Sequence, residues 1–324
     1  MESAFQTISG RRKDRPAKAS CAIDGHGSCP EALDGAACLY NLQRIHVVFP
    51  NAPRCSPMLV RRFASLALIA FLVLASGVPQ LAASDREINV AAAADLSAAL
   101  QEVATKFEQR TGVAVKLSFG ASGALTQQIQ NGAPFDVFFS ADMDYPRQLI
   151  AARQAEGATL YRYAVGRLVL WVPSDSPLDA EHKGIDVVMD PSVKKISIAN
   201  PQHAPYGRAA VAVLKHYGLY EKVTDRLVLG ENISQAAQFV ESGNAQVGFV
   251  ALAHAMAPAM QGKGKYWMVP ADAYPPLDQG VVLISHSPHQ QDAAAFVEYV
   301  KTAEASAVLR RYGFSLPEQK DDKK

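Results

Sequence analysis

A chain of 324 residues has room for one large core or two medium ones. Charged residues make up 19% and the formal net charge is +1, so no basic surplus suits nucleic acid or an acidic membrane surface. Any partner must be recognised at a local site.

Residues 1 to 57 mix Arg, Pro, Gly and Ala without helical or strand periodicity. The text changes at Met58, with "MLVRRFASLALIAFLVLASGVPQLAASD". Arg61 and Arg62 form a charged start, Phe63 to Ala75 an apolar stretch, and "LAAS" a small-residue cleavage site, which is the layout of a secretory signal. The run falls short of the roughly 20 apolar residues that span a bilayer. The pattern therefore predicts translation from Met58, a mis-assigned and disordered upstream extension over 1–57, and a signal peptide over 58–84. The mature protein is expected in the periplasm. All four cysteines (Cys21, Cys29, Cys38, Cys55) precede Met58. The exported part thus needs no disulfide, offers no thiolate ligand, and has no cysteine to carry a lipid anchor.

From residue 87 strand and helix signals alternate. "EINVAAA" reads as a strand, after which Asp95 is expected to cap a helix whose apolar face is Leu96, Leu100, Val103 and Phe107, ended by Gly112. "VAVKLSF" alternates as a strand, and Leu125 and Ile129 mark a short helix stopped by Gly132. "FDVFFSA" is a strand, followed by a helix over "DYPRQLIAARQ" that opens at Asp144 with Pro146 in its first turn. "RLVLWVP" and "KKISIAN" read as strands and "PYGRAAVAVLKHYG" as a helix ending at Gly218. Then come a strand "DRLVLG", a capped helix "NISQAAQFVESG" and the strands "QVGFVA" and "QGVVLIS". One long helix over "QDAAAFVEYVKTAEASAVLRRYG" precedes a polar tail, 318–324.

Alternation of this length implies α/β layers with mostly parallel sheets. The exported part is long for a single sheet, so two lobes are expected, with "YAVGRLVLWVP" and "PPLDQGVVLIS" as the segments that cross between them. The expected lobes are 86–166 with 284–317, and 167–283.

Three strand-to-helix junctions share one chemical character: "AAAADLS" at 91 to 97, "FGASGAL" at 119 to 125 and "GENISQAA" at 230 to 237. A fourth, "NPQHAPYGRAA", places Tyr206 and Gly207 at a helix start. Helix starts expose unpaired N–H groups and the positive end of a dipole, and small residues let an anion approach that backbone. Taken singly, Asp95, Ser122 and Asn232 are better explained as simple caps worth about 1 kcal/mol each, and it is the recurrence of such junctions in one exported chain that points to an anion site.

Enzyme signatures mostly fail. "GASGA" has Ala124 where a nucleophile elbow needs glycine, and no HExxH occurs. His286 and His289 lie in a polar loop that reads as solvated surface. His203 and Arg208 flank the Tyr206 turn and suggest a charged pair.

The segments "AAADL", "FGASGALTQQIQNGAPFDVFFSAD", "YAVGRLVLWV", "IANPQHAPYGRAA", "LGENISQAAQFVESG" and "VGFVAL" resemble the periplasmic molybdate-binding proteins of ABC transporters, from about Ile88 to Pro317. The resemblance implies a two-lobed periplasmic binding protein fold of type II, with one tetrahedral oxyanion in the cleft. It implies binding by neutral hydrogen-bond donors, with no cofactor, no counter-charge and no metal–protein bond. A ring of N–H and O–H dipoles can offset a double negative charge without long, mobile side chains.

Carried over by position, the family's serine after the second strand falls on Ser122, Tyr206 contributes a turn amide, and Ile233 contributes the amide of a helix start. Two positions depart. Ala94 and Asp95 stand where family members often have serine or a threonine–asparagine pair. A carboxylate facing a dianion repels it, so Asp95 must cap its helix and offer its N–H, carry a proton, or accept from Ser97. Ala251 stands where some members place a tyrosine, a gap the Tyr206 phenol is expected to fill.

The resemblance implies a monomeric, non-enzymatic receptor that hands molybdate to a membrane permease. Rivals are the same fold carrying tungstate, sulfate or a phosphonate, an envelope hydrolase using Ser122 with His203, and an effector-sensing domain of a regulator.

Overall fold

The structure, a computed structural model, describes residues 86–317. The expected upstream extension, the signal peptide and the polar tail lie outside the described residues. Among the described residues ten strands build two five-stranded sheets. The first contains β1 (Glu87–Ala93), β2 (Ala114–Gly120), β3 (Val137–Ser140), β4 (Tyr161–Gly166) and β10 (Leu277–Leu283), in the order β2-β1-β3-β10-β4. The second contains β5 (Leu168–Pro173), β6 (Ile196–Ala199), β7 (Leu227–Gly230), β8 (Val247–Ala251) and β9 (Gly264–Met268), in the order β7-β6-β8-β5-β9.

The two orders are the same pattern used twice. In each sheet three strands pair in parallel, and one strand runs against its neighbours: β10 in the first sheet and β5 in the second. The sheets are therefore mixed, which sharpens the expectation of mostly parallel ones. The cause is connectivity. Both opposing strands are entered from the other sheet, β5 after the single residue Arg167 and β10 after residues 269–276. A chain crossing at one end enters the new sheet running the opposite way. This also corrects the second lobe boundary: residues 277–283, expected in the second lobe, ladder onto β3 and β4 of the first.

Helices follow the parallel strands. After β1 a single 3-10 turn (Ala94–Leu96) leads into α1 (Ser97–Thr111), whose predicted apolar face is buried throughout. Gly112 ends α1 in the left-handed region, φ 71°, where a side chain would be strained. After β2 comes α2 (Ser122–Gln130), and after β3 comes α3 (Asp144–Ala151). In the second lobe α4 (Pro205–His216) follows β6 and α5 (Ile233–Glu241) follows β7. The terminal segment forms α6 (Gln290–Val300) and α7 (Ala303–Arg311).

Register aligns the carboxyl ends of the parallel strands. Ala93 pairs with Gly120 in the first lobe, and Ala199 with Gly230 in the second. In open α/β sheets that edge is where ligands bind, because the chain there turns from strand to helix.

The long helix expected over 291–313 is interrupted. Thr302, in extended conformation, accepts from Ala305 N–H while its hydroxyl donates to the Tyr299 carbonyl at 2.7 Å. Local capping thus outcompetes continuous helical periodicity. Thr302→Ala should cost about 1 kcal/mol of stability, read as a lowered urea midpoint with an unchanged slope.

Candidate anion site

Five strand-to-helix junctions, three from the first lobe and two from the second, meet in one small cavity. Its walls are Ala93, Ala94, Asp95, Gly120, Ala121, Ser122, Ala141, Ala204, Pro205, Tyr206, Asn232 and Ile233. All five predicted site residues (Ala94, Asp95, Ser122, Tyr206 and Ile233) are among them. The free volume at these strand ends is only about 10 Å³, about one water's worth, so the lobes close almost fully on one another there, far below the roughly 300–1,000 Å³ of pockets for organic ligands. Larger hollows elsewhere, such as the one between Tyr161 and Arg310, lie away from these strand ends.

The lining is polar through its backbone rather than its charges. Ser122 is the first residue of α2, Tyr206 the second of α4 and Ile233 the first of α5. Their N–H groups have no protein acceptor among the described residues. Ala94 and Asp95 open the 3-10 turn, where position alone denies an intrahelical acceptor. The Ser122 hydroxyl accepts from Ala141 N–H at 3.0 Å, which leaves its own hydrogen to donate. Asn232 caps α5 by accepting from Ser234 and Gln235, orienting that helix start toward the cavity. No lysine, arginine or histidine lines the wall. Such a site holds a small anion by dipoles alone.

The lobes are in contact around it. Gly123 N–H donates to the His203 carbonyl at 2.9 Å, and the Ser234 hydroxyl to the Ala94 carbonyl at 3.1 Å. At the rim Arg208 pairs with Asp142 and reaches the Tyr145 hydroxyl at 3.2 Å, its guanidinium 5.4 Å from that ring's centre. Asp142 also accepts from the N–H groups of Asp144 and Tyr145, so it starts α3 and anchors the rim together. Arg208 therefore pairs with Asp142, correcting the expected pairing with His203.

Asp95 does not cap α1, nor does it accept from Ser97. It is 2% exposed, and its Oδ2 accepts from the Tyr206 phenol across the cleft at 3.0 Å and from Gln279 Nε2. Helix α1 has no side-chain cap at its start. A longer-range partner wins because the 3-10 turn carries the carboxyl into the cleft, where two neutral donors converge. Burial pushes the Asp95 carboxyl up to about 6, against the opposing pull of Gln279, Tyr206 and its own backbone. The Tyr206 phenol is thus consumed by Asp95, correcting the expectation that it replaces the tyrosine missing at Ala251. Ala251 itself is buried at the end of β8, outside the cavity wall.

Gln279 and Tyr163 were not singled out by sequence reasoning. Among the described residues Gln279 is the one fully buried glutamine, held by Tyr163 at 2.5 Å. The signal was present in "LDQGVVLIS", a polar residue inside a run otherwise fit for a core strand. His289 is exposed, as expected of this polar loop, and its ring also lies 3.3 Å from the buried Asp136 carboxylate. The nucleophile–base pairing of Ser122 with His203 finds no geometry here, since His203 offers its carbonyl to Gly123 and no histidine lines the cavity.

The family described as bacterial extracellular solute-binding protein matches residues 88–315. The chain belongs to this family. It is 41% identical over 249 residues to the molybdate-binding protein ModA of Azotobacter vinelandii, covering 76% of this chain and 96% of that protein. It is 39% identical over 234 residues to ModA of Rhodobacter capsulatus, covering 72% and 90% respectively. Among solved structures, the Azotobacter vinelandii periplasmic molybdate-binding protein superposes with a TM-score of 0.68 at 36% identity, over 71% of this chain and all of that one.

Two expectations follow from the geometry. A Cβ on Gly123 would stand 2.9 Å from the His203 carbonyl and 2.5 Å from the Tyr145 hydroxyl. Gly123→Ala suits a helix but should hold the lobes apart, giving a larger radius of gyration by small-angle scattering than the native protein. For Asp95, the folded carboxyl sits above its ordinary 3.8 at about 6, so folding favours its neutral form. That contribution is full below about pH 4 and is lost as pH rises through 6, a cost on the order of 3 kcal/mol. Asp95→Asn should therefore melt higher than native at pH 8 and close to native at pH 4.

Proposed function

We propose that the protein captures molybdate in the periplasm and delivers it to the membrane permease of an ABC transporter. The observation that carries this reading is the cavity itself: converging neutral donors from both lobes and no cationic side chain on the wall. Molybdate at neutral pH has lost both protons, so it accepts hydrogen bonds at every oxygen and donates none. Helix-start amides and the Ser122 hydroxyl supply donors only. The molybdate-binding relatives at 39–41% identity support the same ligand.

Tungstate has the same charge and nearly the same size, and the same donors would hold it. Sulfate matches in charge but is smaller, and fixed amides on two closed lobes cannot follow it inward. One chain supplies the whole cavity, so a monomer suffices for capture. The reading assigns the protein binding and release, with transport energy supplied by a separate ATPase.

Titration calorimetry tests it directly. Molybdate and tungstate should bind tightly and sulfate far more weakly. A ligand at a thousandfold excess over Kd should stabilise the fold by roughly 4 kcal/mol, seen as a raised melting temperature. Ser122→Ala should weaken molybdate binding by about 1.5–3 kcal/mol, the scale of one hydrogen bond to a charged group. Equal affinity for sulfate and molybdate would contradict the reading, as would an unaffected Ser122→Ala.

A further inference from the structure

We propose that Asp95 meets the anion as a neutral carboxylic acid donating from Oδ1, so that capture of each dianion takes up one proton. The proposal rests on the reading of this cavity as a molybdate site.

The direction of the surrounding hydrogen bonds carries it. Tyr163 donates to Gln279 Oε1 at 2.5 Å, which turns the amide so that Nε2 faces Asp95 and Tyr206. Nε2 donates to Asp95 Oδ2, and the Tyr206 phenol donates to the same oxygen. Oδ2 thus receives two donors: the amide cannot take a proton, and the phenol, which accepts from Gln279 Nε2 at 3.3 Å, has no other acceptor for its own hydrogen among the described residues. Oδ1 is fully buried and has no partner among the described residues. A proton on Asp95 therefore resides on Oδ1, the one oxygen of this cavity-lining carboxyl that is still uncommitted. An acceptor oxygen of the anion completes the set.

An ionised Asp95 would instead place a third negative charge beside a dianion, out of water and without a cation on the wall. The groups facing it offer no relief. Tyr206 on α4, Tyr163 on β4 and Tyr274 before β10 are phenols, and burial pushes the first two well above their ordinary range. His254, on the short helix Leu252–Ala255 packed against the 3-10 turn, is kept neutral by burial, its pKa lowered to about 4. The first turn of α1 carries no acid, and α5 contributes Ser234 and the neutral cap Asn232. The carboxyl already titrates near 6. A neighbouring dianion moves it further up, which is the same statement as proton uptake on binding. Affinity should then be flat below about pH 6 and fall as pH rises above it.

The test is calorimetry of the mature protein with sodium molybdate at pH 6, 7 and 8, each in two buffers of different ionisation enthalpy. About one proton should be taken up per molybdate at pH 8, with affinity falling about tenfold per pH unit above 7. In Asp95→Asn, whose Nδ2 donates at every pH, uptake and slope should both vanish. The native proton count decides the matter even if that variant folds poorly. Tight molybdate binding with no proton uptake and a flat profile to pH 8 overturns the role of Asp95 alone. Preference for hydrogen phosphate at pH 8 without uptake also overturns it, by placing the proton on the ligand. No molybdate binding at any pH overturns this proposal together with the ligand reading.

Discussion

A doubly charged anion leaves water only where dipoles already aimed at it replace its hydration shell. The arrangement of the cleft follows from that constraint. Fixed amides do this best, because their orientation is set by secondary structure and no side-chain freedom is lost on binding. Helix starts present such amides, and parallel strands of equal reach put several helix starts side by side. Using the same sheet pattern twice and facing the carboxyl edges together turns two rows of helix starts into a closed ring. Small residues complete the device: Ala93, Ala94, Ala121, Ala141 and Ala204 keep the wall thin enough for the backbone to be the binding surface.

The same closeness brings residues of both lobes into one packing unit. Alanines of the first lobe (Ala93, Ala94, Ala121, Ala141) pack in the same apolar cluster as Ala204, Tyr206 and Ile233 of the second. The cross-lobe bonds from Gly123, Ser234 and Tyr206 exist only when the lobes meet. Arg208, partly exposed at the rim, adds a salt-sensitive contact to Asp142 that is worth little by comparison with the buried set. An anion that bridges amides from both lobes stabilises the contacts around it. The contacts in turn exclude water and strengthen the amide dipoles.

Much of this was legible from the chain because strand and helix starts leave local marks. The apolar face Leu96, Leu100, Val103, Phe107 and the stop at Gly112 depend on neighbours within a few turns, as does the Asn232 cap. What escaped depends on partners far along the chain. Asp95 has the residue type and place of a cap, yet its donors are 111 and 184 residues away. The opposing directions of β5 and β10 follow from crossings between sheets that no local pattern records. β9, with the half-buried sequence GKYWM, lacks both alternation and an apolar run. Thr302 breaks a helix whose apolar periodicity continues through it, because one hydroxyl serves two backbone groups at once.

The central claim is that neutral donors alone hold an intact tetrahedral oxyanion between the lobes. The most direct measurement is a crystal structure of the mature protein grown with molybdate, with anomalous data collected at the molybdenum edge. A single peak should fall inside the cavity between Ser122, Tyr206 and Ile233, with the anion's oxygens about 3 Å from their N–H groups. A peak against a lysine or arginine, or molybdenum bonded directly to a protein atom, would contradict the account.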